Sequence, residues 1–414
     1  MTEVCITGYG VVSPLGHDIA SFDAALFAGR SAIRGELLEV AGQDPCWVPL
    51  ARCDFDAAAV RAPSKLPLDR GSAMALAAAE AAAAAAALGA DGVDPLRLGL
   101  YWGSGMGGAS TFDANCRALY ADHRRMRPTS VVTGMPNAPL AELALRWGAR
   151  AAALGYACAC ASAAVAIGEG MRAVREGRVD VAIVGGSEAL ISPGVVLAWQ
   201  AMRVLAPVAA GGGGAEAACR PFAADRNGFA LGEGAAALVL ESAAHARARG
   251  ARWHSRLAGY ATNCDSRHIT QPDPEGQQRA MAEALRDAGL VAADIGHVNA
   301  HGTATQAGDA AEAASLRRLF GPLQAGAAAP AVSGTKAVVG HLLGAGGALE
   351  LVATLRALER RLAPPTGAVA RVDPAFEIDL VRGSARELPA LRHAMSNSFA
   401  FGGTNAVLIA SAVD

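Results

Sequence analysis

Three side chains in this sequence stand in surroundings that suit chemistry better than packing. Cys160 lies in GYACACASAAVAIGEG, where nearly every neighbour is small. His301 lies in NAHGTATQAGD and His341 in GTKAVVGHLLGAGG. The run after Cys160, ASAAVAIGEGMRAVREG, has helix-compatible spacing, so the cysteine is expected at a helix N-terminus. The helix dipole there favours an anion and lowers a thiol pKa, by about 0.3–1 kcal/mol at exposed ends. A thiolate attacks a thioester carbonyl, so one thiol facing two imidazoles points to acyl-thioester chemistry. The alternative for any free cysteine is a small buried residue, which is the reading for Cys5, Cys53 and Cys219. Cys158 is assigned to the turn leading into Cys160.

Further residues support these three. Thr303 and Thr305, with Gly302 and Gly308, make a polar turn just after the apolar run HVNA. Its hydroxyls suit an amide-bearing chain, although a plain Ser/Thr turn explains them too. Lys336 sits among small apolar residues five positions before His341. A lysine buried there needs a counter-charge, and Glu312 in GDAAEAASLRRLF is the candidate, with an exposed helix position as the alternative. Near the C-terminus, MSNSFAFGGTNAVLIA places Phe399 and Phe401 before two glycines. Glycine permits an unusual backbone path, so one phenylalanine can gate a pocket while a backbone N–H faces a reacting oxygen. A strand-edge turn with two core phenylalanines is the plainer reading.

The elements that must position these groups alternate. VCITGYGVVSP, LGLYWGSGMGG, VDVAIVGGSEA and HVNAHGTAT each read as a short buried strand ended by glycine or a polar turn. EGMRAVREG and GQQRAMAEALRDAG between them read as helices. This alternation predicts an α/β protein with mostly parallel sheets covered on both faces. Residues 235–262 read as strand, charged helix and strand, a junction that places a boundary near residue 250, between halves 1–250 and 251–414. No internal repeat is visible in the letters.

Composition removes other classes. The chain has 414 residues, 52% hydrophobic, with a formal charge of −2. That is enough for a large two-part core and gives no polybasic surface for nucleic acid or membrane. MTEVCITGYGVVSPLG lacks a basic start and is broken by glycine and proline, unlike a signal peptide. The alanine-rich run near residues 74–90 contains Glu80 and is short for a bilayer. It reads as a soluble helix. The 8 cysteines form no CxxC pair; a reduced cytoplasm is expected, and no metal.

Seven ordered segments, covering nearly the whole chain, resemble the β-ketoacyl-acyl-carrier-protein synthases of the elongating I/II type. They are TGYGVVSPLG, GSGMGG, CACAS…AIGEG, RPFAADRNGFALGEGA, NAHGTATQAGDAAE, GTKAVVGHLLGAGGALE and NSFAFGGTN. The resemblance implies a thiolase-like fold, two similar halves in five α-β-α-β-α layers, usually a dimer. It makes Cys160 the acylated nucleophile and His301 and His341 the aids to decarboxylation, with Lys336 and Glu312 as charged residues behind them. Thr303 and Thr305 hold the pantetheine arm. Phe401 gates, and its N–H joins that of Cys160 in an oxyanion hole. Phe229, Met106 and Phe399 line the acyl pocket. No cofactor belongs to the chain itself, since the phosphopantetheine arm is carried by the partner, an acidic acyl carrier protein. Arg61, Lys65, Arg70 and Arg203 are candidates for a basic docking rim.

The implied activity is decarboxylative condensation of an acyl chain on Cys160 with malonyl-acyl-carrier protein. The alternatives are a non-condensing chain-length-factor-like subunit, which lacks the nucleophile, and a coenzyme A thiolase-type acyltransferase. FAFGG stands where the family more often has FGFGG, GTAT where GTST is frequent, and Cys158 where a threonine is common. Ala400 is expected to stiffen the gate. These departures leave the reactive set intact and point towards a specialised fatty-acid, polyene or polyketide substrate, made by a homodimer or by a heterodimer with a related subunit.

Overall fold

The computed structural model describes residues 2–89, 92–253, 255–323 and 329–413. Ten strands carry its architecture. The first half holds β1 (Val4–Val12), β2 (Leu98–Gly103), β3 (Ala153–Tyr156), β4 (Val181–Glu188) and β5 (Gly234–Ser242). The second holds β6 (Ser255–Cys264), β7 (Ile295–Asn299), β8 (Ala331–Ser333), β9 (His393–Phe399) and β10 (Thr404–Ala412). Most are short apolar runs buried along their length, as expected for strands covered on both faces.

The halves repeat one topology. In the first the spatial order is β3-β2-β4-β5-β1. There β2 runs parallel to β3 and β4, and β5 runs antiparallel to β4 and β1. In the second the order is β8-β7-β9-β10-β6. There β7 runs parallel to β8 and β9, and β10 runs antiparallel to β9 and β6. The two sets touch where β1 and β6 pair over Cys5↔Arg256 and Ile6↔Ser255. The duplication lies in pairing order, which leaves no periodic trace in the residues.

Six helices matter for the site: α1 (Arg70–Ala85), α2 (Ser162–Arg175), α3 (Pro193–Ala201), α4 (Pro274–Ala288), α5 (Gln306–Phe320) and α6 (Gly346–Arg360). Helix α1 covers β1 and β5 on one outside, and α4 covers β6 and β10 on the other. Between the sheets, α2 packs on β2 and β4, α6 on β9 and β10, and the two helices on each other. This is the expected five-layer arrangement.

Small residues set the spacing. At Gly8 and Gly10 a Cβ would fall onto the backbone of Ala82 and Ala78, so the alanine-rich run lies flat on β1. No described helix is long and apolar enough to cross a membrane. Local signals start and stop the helices: the Asp69 carboxylate accepts from Gly71 N–H at 2.8 Å, and Gly289 ends α4 in the left-handed region.

Candidate active site

The two halves present their reactive groups from matching places. After β3 a tight turn, Ala159–Ala161, carries Cys160 into α2. After β8 the chain passes Lys336 and His341, then a tight turn, Leu343–Ala345, into α6. Cys160 and His341 thus stand at equivalent strand-to-helix crossings, facing each other across the middle layer. His301 and the Phe399–Phe401 segment follow β7 and β9 in the same half.

Both crossings are held against backbone preference. Ala159 has φ of 47° and Leu343 of 46°, left-handed values that side-chain-bearing residues rarely adopt. The Ser162 hydroxyl ties the first: it accepts from Cys158 N–H at 2.9 Å and donates to Ala159 C=O at 2.6 Å. At Gly103, the end of β2, a Cβ would fall onto the backbone of Ser162 and Ala163, so β2 can lie directly under the start of α2.

The reactive atoms converge. His341 Nε2 is 3.1 Å from Cys160 Sγ, and the rings of His301 and His341 stand 5.5 Å apart at 81°. One ligating atom from each of Cys160, His301 and His341 falls within a 4.8 Å set. Leu343 N–H points to His341 Nδ1 at 3.2 Å, which leaves the ring hydrogen on Nε2. Lys336 Nζ lies 3.3 Å from His301 Nδ1, and an ammonium can only donate there, so His301 also carries its hydrogen on Nε2.

Burial dominates the electrostatics. It holds both histidines well below their ordinary 6.5, and the Lys336 charge lowers them further. Both rings are therefore neutral donors at physiological pH. Burial also pushes the Cys160 thiol up to about 11, against the pull of Lys336 and a hydrogen bond from Phe401 N–H. This differs from the sequence expectation of a lowered thiol. Cys160 does stand at a helix start, but loss of water outweighs the dipole and the nearby charge. The resting site is a neutral thiol beside neutral imidazoles.

A cavity of about 270 Å³ opens onto these atoms. Its apolar wall includes Trp199, Phe229, Phe399 and Phe401, and Thr303 and Thr305 stand on its polar side. The two threonine hydroxyls are 2.9 Å apart, and Thr305 caps α5 through Gly308 N–H. Phe229 meets His341 edge-on at 5.1 Å, and Trp199 stacks on Phe401 at 6.2 Å.

Models of the β-ketoacyl synthase N-terminal and C-terminal domains match residues 1–246 and 254–370. The chain belongs to the β-ketoacyl synthase family. Nodulation protein E of Rhizobium sp. strain N33 is 38% identical to this synthase over 412 residues, with 98% of each chain covered. The 3-oxoacyl-[acyl-carrier-protein] synthase 2 of Staphylococcus aureus strain N315 is 34% identical, with 98% of this chain and 97% of that one covered. Among solved structures, the ishigamide ketosynthase/chain length factor matches with a TM-score of 0.89 at 30% identity, with all of both chains covered. The thiolase-like fold and the condensing activity expected from the resemblance are therefore those of this synthase, and neither alternative activity is favoured.

The structure corrects three expectations at the residue level. The ion-pair partner of Lys336 is Glu350, not Glu312. Glu312 instead accepts from the His301 and Gly302 N–H groups, both at 2.8 Å, and from Asn397. It therefore holds the backbone of His301 while Lys336 holds its ring. Met106 is 46% exposed and does not line the cavity of the single chain; its backbone N–H donates to buried Glu188 at 3.2 Å while its side chain stays accessible. Arg70 is committed to the fold: it pairs with buried Glu233 at 2.7 Å and donates to Cys53 and Phe55 carbonyls. Arg61 and Lys65 are exposed and make no ion pair among the described residues. Arg203 is exposed beside Met202 and Val204, which line the cavity mouth.

Sequence reasoning missed Glu350 and Trp199. Glu350 is the one acidic residue in the apolar start of α6, GGALELVATL, and that isolation was its signal. Trp199, alone in VVLAWQAM, carried no signal distinguishing gate packing from core packing.

Proposed function

We propose that this synthase extends an acyl chain held on Cys160 with malonyl-acyl-carrier protein through the following division of labour. The Cys160 sulfur attacks the acyl thioester carbonyl. The pantetheine sulfur leaves and takes the thiol proton, so no prior ionisation is required. Malonyl-carrier protein then binds with its arm along Thr303 and Thr305. Its C–CO₂ bond breaks, carbon dioxide departs, and the electron pair moves onto the thioester oxygen as an enolate. His301 and His341 donate Nε2–H bonds to that oxygen; two aimed donors at a dry site are each worth ~3 kcal/mol of barrier. The enolate carbon attacks the acyl-Cys160 carbonyl, whose oxygen rests on the N–H groups of Cys160 and Phe401. The C–S bond breaks, the released Cys160 sulfur takes a proton from solvent and returns to the thiol, and a β-ketoacyl chain two carbons longer leaves on the carrier.

The observation that carries this reading is the fixed Nε2–H tautomer of both histidines beside one thiol. It supports a donor role for the rings rather than a base role. Phe229 and Phe399 are proposed as pocket walls, Phe401 as the gate and Arg61, Lys65 and Arg203 as carrier-protein contacts. The phosphopantetheine arm belongs to the carrier, and no cofactor of the chain itself is invoked. The names of the relatives support a fatty or polyketide acyl substrate and a ketosynthase-like partner subunit.

Separating the half-reactions tests the division. His301→Ala should lose malonyl decarboxylation by 10²–10³-fold yet still take an acyl group onto Cys160. Cys160→Ala should retain decarboxylation and lose the acyl adduct. Normal decarboxylation by His301→Ala contradicts the donor role.

A further inference from the structure

One buried acid takes no part in the reaction described above, yet the GSGMGG loop and the turn that follows His341 both close on it. Glu188 ends β4 and is 1% exposed. It has no cationic partner among the described residues. Its two oxygens accept four hydrogen bonds, and the donors come from both halves of the molecule. Ser104 Oγ at 3.1 Å, Gly105 N–H at 2.6 Å and Met106 N–H at 3.2 Å come from the GSGMGG loop after β2. Gly344 N–H at 3.0 Å comes from the turn into α6. Ser104 Oγ in turn accepts from Gly107 N–H at 2.9 Å. The loops approach so closely that a Cβ on Gly344 would fall onto Gly105 N and the Glu188 carboxylate, and a Cβ on Gly105 would also crowd it. Burial pushes the carboxyl up to about 7, against the pull of its four hydrogen bonds, which favour the ionised form.

Gly344 directly follows Leu343, the residue whose strained backbone N–H fixes the His341 tautomer. A left-handed leucine persists only where its surroundings over-determine it. The Glu188 bond to the next peptide is such a determinant.

We propose that Glu188 is a positioning residue for His341. Its carboxylate latches the GSGMGG loop to the Leu343–Gly344 turn and so keeps the Leu343 N–H on Nδ1 and the ring hydrogen on Nε2, aimed at the malonyl thioester oxygen. The proposal rests on the reading of His341 as a donor in decarboxylation.

Glu188→Gln tests it. An amide offers one acceptor oxygen to four donors, and its own NH₂ faces at least one backbone N–H whichever way it turns. Decarboxylation should fall roughly 10- to 100-fold, the scale of a small misplacement of a catalytic group. Acyl loading of Cys160 should change less than about threefold, well short of that misplacement effect. Histidine ¹⁵N spectra, assigned with His341→Gln, should show the Nε2–H form in the wild type and a tautomer mixture in Glu188→Gln. A general loosening of the fold would instead lower both half-reactions together and leave the tautomer unchanged, and that result overturns the proposal. Should Glu188→Gln not fold, Ser104→Ala removes one donor to the same carboxylate; it should shift the same spectrum and lower decarboxylation alone. Unchanged spectrum and rates in Ser104→Ala would then overturn it. His341→Ala is the control: if it decarboxylates normally, the donor reading fails, whereas if it is inactive and Glu188→Gln is normal, only the role of Glu188 fails.

Discussion

Lys336 shows how one residue sets the working range of the site. It faces His301 Nδ1, donates to the His301 carbonyl and pairs with Glu350, all inside the protein. Its charge and the burial both hold the histidines below 6.5. A histidine lowered on folding stabilises the fold fully above its unfolded value of 6.5, and that contribution is lost as pH falls towards the folded value. The rings themselves are therefore expected to add no acid limb to decarboxylation between pH 8 and 6.5; the limb they set falls in more acid solution. In Lys336→Met the acid limb should move up in pH, because the repelling charge is gone. Stability at neutral pH should drop by about 3–5 kcal/mol, since Glu350 is left buried without its partner. A pH–rate profile and chemical unfolding measure both, and an unmoved acid limb would remove Lys336 from the tuning of the rings. The lysine, both histidines and the cysteine were legible in sequence because each broke the pattern of its neighbours. Glu350 broke its pattern too, but its pairing was not legible, because Glu312 and Glu350 both lie in helices and only tertiary packing decides which one reaches Nζ.

Among the elements, the matched strand-to-helix crossings do most of the positioning. Alternating strands and helices could be read from short apolar runs ended by glycine, and the strand–helix–strand junction at 235–262 appears as β5, a short helix at Ala243–Ala248, and β6. The shared topology of the halves could not be read, because unrelated residues satisfy the same pairing order. Nor could the sequence weigh dipole against desolvation at Cys160, a balance set by how completely α2 and α6 enclose the sulfur. Gly103 tests the crossing itself. A methyl there must push the start of α2 off β2, since the clash is with backbone. Gly103→Ala should cost about 1–3 kcal/mol, as overpacking usually does. It should also slow acyl loading of Cys160 more than it slows decarboxylation. A variant with wild-type stability and loading would mean that β2 does not position the nucleophile.

At the scale of the whole molecule, the exposed apolar residues are unevenly placed. Met106, Phe112, Val131, Val132, Met135, Leu145 and Leu154 all lie between residues 106 and 154. Leu154 belongs to β3, the outer strand of its sheet, whose free edge is open to pairing. A second chain pairing on this edge would cover Leu154. Light scattering should give the mass of a dimer for the wild type, and Leu154→Arg should shift it towards the monomer. A monomeric wild type, with no partner subunit supplied, would point to the heterodimer.

The most direct measurement follows the acyl group. Purified synthase is given an acyl-carrier protein, then malonyl-carrier protein, and the intact masses of enzyme and carriers are recorded. The expected record is an acyl adduct on Cys160 that disappears as a β-ketoacyl-carrier protein two carbons longer forms, with neither species in Cys160→Ala. Formation of the extended product by Cys160→Ala would contradict the account.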